Sequence, residues 1–227
     1  MLRAVIFDVD FTLSRPGPEL GPEAYRRVGA EHGLELEPSR YEEARLAAFD
    51  DLRAHPELVH DEEIWIAFTE DIVRGMGGDA AHSRACAVDM VARWEVHANF
   101  DLYDDVVPVL EMLRANGLGI GLISNGQRDL EEFARHHRLD VDIAVGSKSH
   151  GWTKPHASIF EKALGALGVS VLEAVMVGDS VEDDIVGARA LGMRAILLDR
   201  DERYPGQHER ITDLFQLAGA LELRAGG

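Results

Sequence analysis

Cysteine, positive charge and long apolar runs are all scarce in this chain of 227 residues. A single cysteine, Cys86, excludes an intrachain disulfide and favours a reducing compartment. The 23 Lys and Arg residues face 41 Asp and Glu residues, which gives a net charge of −18. Nucleic acids and anionic membranes require a basic surface, so we expect neither as a partner.

No apolar run approaches the roughly 20 residues that a membrane-spanning helix requires. The N-terminus leads directly into an apolar run at residues 4–7, with no signal peptide before it. These two features, together with the single cysteine, predict a soluble cytoplasmic protein. The composition gives no information on its oligomeric state.

Hydrophobic periodicity divides the chain into two parts. From about residue 20 to residue 98 the pattern is helical almost throughout, after a stretch rich in proline and glycine that predicts a linker. From about residue 104 helices alternate with short apolar strands, which is typical of βαβ units and a parallel sheet. The apolar run at 4–7 is expected to join that sheet. We therefore predict a doubly wound α/β core formed by residues 1–14 and 101–227, with a helical insertion at residues 15–100.

Acidic residues gather where two of the predicted strands end. Asp8 and Asp10 follow the first apolar run, and Asp179 follows the run at residues 173–178. Asp183 and Asp184 come shortly afterwards, with Glu182 beside them. Carboxylates also favour the first turn of a helix, and this alternative accounts for one or two of the acids. Oxygen ligands at neighbouring strand ends suit Mg²⁺, so the pattern predicts a magnesium site.

Two further stretches fall at predicted strand ends. Ser124, Asn125 and Gly126 stand between a strand and a helix, where a hydroxyl and exposed N–H groups can bind phosphate or simply cap the helix. Lys154 precedes Pro155 and another helix. Because only three of the 23 basic residues are lysines, this position is notable, although a surface charge remains the alternative. A compact ammonium group suits a phosphate or a phosphorylated carboxylate.

The order of these motifs resembles the haloacid dehalogenase-like (HAD) hydrolase superfamily, in particular its phosphatase-like members with an inserted helical cap. The motifs are D-x-D-x-T-L at residues 8–13, S-N-G at 124–126, K-P at 154–155 and G-D-S-x-x-D-D at 178–184. They span nearly the whole chain. The resemblance implies a HAD-like (Rossmann-like) core and makes residues 15–100 the cap.

The resemblance also implies roles for particular residues. Asp8 matches the nucleophile and Asp10 the general acid/base, while Lys154 matches the lysine that stabilises charge. The positions expected to bind phosphate or to order the loop beside it are Thr12, Ser124, Asn125 and Gly126. The positions expected to hold Mg²⁺ are Asp8, the backbone carbonyl of Asp10, Asp179, and one of Asp183 and Asp184.

Departures from the family pattern bear on the reaction. Phe11 stands where glycine is common after the second aspartate, and it either packs beneath the cap or narrows the path of the leaving group. Residues 15–100 contain no lysine, which disfavours the branch that cleaves phosphonates through a cap lysine. Asp10 and Asp179 disfavour the metal-free dehalogenases. We predict a magnesium-dependent phosphatase that hydrolyses a small phosphorylated metabolite. A phosphomutase, a dehalogenase and a non-catalytic regulatory protein with this fold are the alternatives.

Overall fold

The computed structural model describes residues 1–53 and 58–223, with the backbone alone for residues 50–53. The chain divides into two compact units. One comprises Met1–Arg15 and Leu102–Gly227, and the other comprises Pro16–Asp101. The first unit contains every residue named above for catalysis, phosphate binding or metal binding.

A six-stranded parallel sheet forms the centre of the first unit. The strands of the described residues are β1 Ala4–Phe7, β2 Ser14–Pro16, β3 Phe100–Leu102, β4 Gly119–Ser124, β5 Ile143–Gly146, β6 Ala174–Gly178, β7 Arg194–Leu198 and β8 Arg210–Ile211. The sheet order is β5-β4-β1-β6-β7-β8, and each neighbouring pair is parallel. The predicted α/β fold with a doubly wound parallel sheet is thus confirmed.

The central position of β1 determines where the functional side chains emerge. All four residues of β1 are buried, as is usual for a parallel strand covered on both faces. Phe7 is level with Leu122 of β4 and with Val177 of β6. The carboxyl ends of these three strands therefore meet at one edge of the sheet.

α-Helices predominate in the second unit, and the first unit has α-helices of its own. The helices of the second unit are α1 Pro22–Glu31, α2 Tyr41–Arg53, α3 Glu62–Gly75 and α4 Ser83–Trp94. The α-helices of the first unit are α5 Val106–Ala115, α6 Leu130–His136, α7 Ser147–His150, α8 Ala157–Leu167, α9 Gly187–Ala190 and α10 Leu217–Ala220. No helix in residues 1–53 and 58–223 is both long and apolar enough to cross a membrane.

Each unit has its own apolar core. In the helical unit, one cluster contains Tyr25, Met76, Cys86 and Met90, all fully buried. In the α/β unit, residues of α8 and of the sheet form another cluster, in which Phe160 is fully buried. The core of the α/β unit fixes the strands, and therefore the positions of the residues at their ends.

The proline-rich stretch after β1 contains a short strand. Its first residues form β2, which pairs with β3 in a separate two-stranded sheet. Prolines are tolerated in edge strands, and a two-stranded sheet has only edge strands. The sequence indicated no strand at Ser14–Pro16, but the division between the two units does fall within this stretch, between Arg15 and Pro16.

Candidate active site

The register of β1 and β6 brings two carboxylates to the same edge of the sheet. Asp8 follows Phe7, and its N–H donates to the Val177 carbonyl oxygen at 2.9 Å. Asp179 follows Gly178, the last residue of β6. Asp8, Asp179 and Asp184 each offer a carboxylate oxygen, and these oxygens all lie within 4.8 Å of one another. We call these three residues the acidic triad.

Asp184 reaches the triad through a widened turn after β6. The N–H groups of Asp184 and Ile185 both donate to the Ser180 carbonyl oxygen, at 3.1 and 3.2 Å, within the π-helical segment Val181–Val186. The Asp184 carboxylate accepts from the Ser180 N–H at 3.0 Å. Gly178 leaves room for this side chain, since a Cβ at that position would lie 2.1 Å from Asp184 Oδ2. Such π-helical turns are frequent at functional sites.

Asp183 lies apart from the triad. Its Oδ2 is 3.5 Å from Asn125 Nδ2, and its N–H donates to Ser180 Oγ at 3.2 Å. Glu182, the remaining acid of this segment, is exposed. The sequence left Asp183 and Asp184 equivalent as metal ligands, and the structure brings Asp184 alone of the two to Asp8 and Asp179.

Lys154 is a buried cation that contacts two members of the acidic triad. Its Nζ donates to Asp8 and, at 2.7 Å, to Asp184, and its side chain is 3% exposed. The Asn125 side chain fixes its backbone: Asn125 Oδ1 accepts from the Lys154 N–H at 2.7 Å, and Nδ2 donates to the Lys154 carbonyl oxygen at 3.0 Å. The side chain of Asn125, a residue expected to bind phosphate, thus holds the lysine in place.

The acidic triad carries more negative charge than Lys154 can balance. Burial raises the pKa of Asp8 to about 7, and although Lys154 opposes this shift, the neighbouring Asp184 and Asp10 carboxylates reinforce it. Burial likewise raises the pKa of Asp179 and of Asp184. Burial lowers the pKa of Lys154, but the adjacent Asp184 and Asp8 carboxylates outweigh it, so the net shift is upward. Such an imbalance favours a bound cation or a proton on the carboxylates.

Asp10 is held by the loop that follows β4. Its Oδ2 accepts from Ser124 Oγ at 3.2 Å, and Ser124 Oγ in turn accepts from the Gly126 N–H at 3.0 Å. Its Oδ1 accepts from Arg128 Nη2. A Cβ on Gly126 would lie 2.9 Å from Asp10 Oδ2, so the glycine provides the space for this carboxylate.

The turn after Asp10 explains why glycine is common at the next position. Phe11 has a φ of 61°, in the left-handed region that is unfavourable for a bulky side chain. Its N–H donates to the Ser14 carbonyl oxygen at 2.6 Å. Thr12 is fully buried, and its Oγ1 lies 3.5 Å from Asp179 Oδ1, at the outer limit of a hydrogen bond. The Thr12 hydroxyl is therefore directed at the triad.

The residues present fit a hard divalent cation. Asp8 Oδ2 is buried and has no hydrogen-bond partner among the described residues, so it is open to a further ligand. The triad offers only oxygen atoms, which Mg²⁺ prefers. Asp8, Asp179 and Asp184 would hold such an ion. The side chains of Asp10 and Asp183 lie outside this group.

Three residues at or near the carboxyl edge of the sheet were not predicted from the sequence. Arg128 is ion-paired with Asp10 although 118 positions separate them. Gln127 is buried, and neither polar atom of its side chain has a partner in the described structure. Arg203 Nη2 lies 3.9 Å from Asp179 Oδ2. Arg128 comes four positions after Ser124 in the sequence. This closeness to a predicted site residue was the one feature of the sequence that could have pointed to Arg128.

The site consists of carboxylates and a lysine at the carboxyl edge of a parallel sheet. This arrangement places the chain among the α/β proteins that bind ligands beyond the ends of their strands. The chain belongs to the haloacid dehalogenase-like hydrolases, whose family model matches residues 2–192. The resemblance stated from the motifs is confirmed, and the protein is a hydrolase of this family.

Named relatives cover most of the chain. It is 32% identical over 223 residues to a glyceraldehyde 3-phosphate phosphatase of Methanopyrus kandleri, with 94% of this chain and 90% of that protein covered. It is 36% identical over 120 residues to a phosphoserine phosphatase of Thermus thermophilus, with 51% of this chain and 47% of that protein covered. The crystal structure of a HAD phosphatase from Thermococcus onnurineus has the same fold, with a TM-score of 0.65, 24% identity and 97% and 98% of the two chains covered.

Proposed function

We propose that this protein is a magnesium-dependent phosphatase that hydrolyses a small phosphomonoester through a phosphorylated Asp8. The observation that carries the proposal is the state of the Asp8 carboxylate. One of its oxygens accepts from Lys154, and the other is buried without a hydrogen-bond partner among the described residues. With one oxygen bonded to Lys154 and the other open to a cation, the Asp8 carboxylate is held in a fixed position for attack on phosphorus. The similarity to two named phosphatases supports the same reaction.

The first chemical step joins Asp8 to phosphorus. An Asp8 carboxylate oxygen forms the new bond to phosphorus while the bond to the ester oxygen breaks, and the electron pair leaves with that oxygen. Lys154 supplies positive charge beside the nucleophile. When bound at the triad, Mg²⁺ would offset the repulsion between the carboxylate and the phosphate dianion.

We propose that Asp10 transfers a proton in each of the two chemical steps. It donates a proton to the departing ester oxygen and then accepts one from the water that attacks the phosphorylated Asp8. That attack releases inorganic phosphate and restores the carboxylate. Asp10 is suited to this exchange because its side chain is 24% exposed, whereas that of Asp8 is 8% exposed.

The leaving group is proposed to be small and without further negative charge. The chain carries a net charge of −18, which disfavours a multiply anionic substrate. The relative from Methanopyrus kandleri is named for glyceraldehyde 3-phosphate, whose leaving group is uncharged. We propose a substrate of that kind and a reducing cytoplasm as the place of action.

The direct test is release of phosphate by the purified protein. We expect p-nitrophenyl phosphate to be hydrolysed with Mg²⁺, and we expect hydrolysis to stop with excess chelator and to recover poorly with Ca²⁺, which prefers more ligands in a looser shell. Asp8→Asn should abolish both turnover and the phosphoenzyme. Asp140→Asn, at an aspartate whose side chain is 82% exposed, is the matched control and should leave activity unchanged. Full activity in excess chelator would contradict the metal requirement, and turnover by Asp8→Asn would contradict the nucleophile.

A panel of phosphorylated metabolites then identifies the substrate class. We expect phosphomonoesters with a neutral leaving group to have higher kcat/KM values than sugar bisphosphates. The opposite ranking would contradict the charge argument while leaving the phosphatase reaction intact.

A further inference from the structure

The carboxylate of Asp10 is held at both oxygens. Arg128 Nη2 donates to Oδ1, and Ser124 Oγ donates to Oδ2 at 3.2 Å. The missing side chain of Gly126 leaves the space that Oδ2 occupies, since a Cβ there would come within 2.9 Å of it. The last residue of β4, Ser124, and two residues of the loop after it, Gly126 and Arg128, therefore enclose the group on which the proposed proton transfers depend.

The guanidinium group of Arg128 is itself fixed. Its side chain is 2% exposed, and its Cζ lies 4.9 Å from the centre of the Phe133 ring, on the helix that follows the loop. A buried guanidinium that stacks on an aromatic ring has lost its rotamer freedom before any substrate arrives. Arg128 therefore presents Asp10 with a charge of fixed position, unlike an exposed arginine, which moves freely.

We propose that Arg128 is a positioning residue, which holds the Asp10 carboxylate where it exchanges a proton with the leaving group and with the attacking water. The inference rests on the proposed function. Arg128 is proposed to act through Asp10, the carboxylate with which it is ion-paired. Small displacements of a catalytic group lower rates sharply, by up to about 100-fold for roughly 1 Å.

The test compares substrates that differ in their need for a proton. Butyl phosphate releases a poor alkoxide leaving group and depends on a general acid, whereas nitrophenolate departs without one. Arg128→Gln should lower kcat for butyl phosphate by about 10- to 100-fold and leave KM nearly unchanged. The rate at which p-nitrophenyl phosphate phosphorylates Asp8, measured as nitrophenol released before the first turnover is complete, should also stay nearly unchanged. Arg128→Lys should recover part of the loss. Arg135→Gln is the matched control, since the Arg135 side chain is 71% exposed and pairs only loosely with Glu132, at 3.9 Å.

A double-mutant cycle separates positioning from other roles. In an Asp10→Asn background, Arg128→Gln should change kcat by less than about twofold, because coupled residues do not have additive effects. Equal further loss in that background would overturn the proposal, since Arg128 would then act independently of Asp10. A large rise in KM and in the inhibition constant of inorganic phosphate, with kcat unchanged, would also overturn it and make Arg128 an anion-binding residue.

Two additional measurements keep the proposal testable if Arg128→Gln folds poorly. Thermal unfolding of each variant identifies general loss of structure. Gly126→Ala keeps Arg128 and places a Cβ 2.9 Å from Asp10 Oδ2 and 3.2 Å from Ser124 Oγ, so it should reproduce the selective loss with butyl phosphate. Equal loss with both substrates in the first step, the phosphorylation of Asp8 resolved before turnover, would overturn the positioning role. Absence of any phosphomonoester hydrolysis by the unmodified protein would refute the proposed function itself, which distinguishes the two failures.

Discussion

Magnesium is expected to stabilise the folded protein strongly near neutral pH and weakly in mild acid. In the metal-free protein the pKa of Asp8 is raised from 3.8 to about 7, chiefly by burial. A group with a raised folded pKa contributes stability below its ordinary value and loses that contribution as the pH rises through the folded value. Without metal, we therefore expect the free energy of unfolding to fall between about pH 4 and pH 7.

The size of this effect follows from the two pKa values of Asp8. The difference between 3.8 and about 7 corresponds to a loss on the order of 4 kcal/mol across that range, at about 1.36 kcal/mol for each pH unit. Mg²⁺ binds the ionised carboxylates. At a Mg²⁺ concentration of about 100 times the Kd, binding should raise the free energy of unfolding by roughly 2.7 kcal/mol. For a chain of this length that corresponds to a rise in Tm of about 5–10 °C. In mild acid, protons compete for the same oxygens and the rise should shrink.

Thermal unfolding by circular dichroism, with Mg²⁺ or with chelator at several pH values, measures both effects. Asp179→Asn removes one ligand and one half-buried negative charge, so it should raise the Tm of the metal-free protein near neutral pH and abolish most of the magnesium-dependent rise. Glu182→Gln changes an exposed acid on the neighbouring segment and should keep the full rise. An equal rise for Asp179→Asn, or a metal-free Tm that does not fall as the pH approaches neutrality, would refute the charge argument.

Two further predictions concern backbone positions. Gly178→Ala should lower the free energy of unfolding in urea by at least about 1–3 kcal/mol, because the added Cβ would lie 2.1 Å from Asp184 Oδ2. The control is Gly165→Ala in α8, where a Cβ would enter open space, so the free energy of unfolding should stay the same or rise. Equal effects of the two substitutions would contradict this account. In the same assay, Phe11→Val should lower the free energy of unfolding by about 1–2 kcal/mol more than Phe11→Gly, because a β-branched residue is strained at a φ of 61°. A larger loss of stability for Phe11→Gly would contradict this prediction.

The fold could be predicted from the sequence because its signals are local. Apolar runs at residues 4–7 and 173–178 correspond to β1 and β6, with boundaries that agree to within a residue. β8 has only two residues, Arg210–Ile211, too few to produce a periodic pattern, and it was missed. β2 was missed because prolines normally indicate a break, and its pairing with β3 depends on residues more than 80 positions away.

The site was predictable to the extent that it lies at strand ends. Asp8 and Asp179 could be paired from the sequence, since the carboxyl ends of parallel strands share one edge. The choice between Asp183 and Asp184 could not be made, because it depends on the π-helical turn that begins after Ser180. The ion pair of Arg128 with Asp10 was equally inaccessible, since it depends on how a loop packs against a distant turn.

Composition gave one indication that periodicity could not. Lysine accounts for three of the 23 basic residues, so arginine is the ordinary cation of this chain. At the triad a single ammonium nitrogen contacts both Asp8 and Asp184 in a space where the side chain is 3% exposed. A guanidinium is planar and larger, and its rigid fork of donors suits one carboxylate in two-point contact better than two carboxylates at one point. The geometry of the triad thus gives a physical reason for a lysine at position 154 in a chain that uses arginine almost everywhere else.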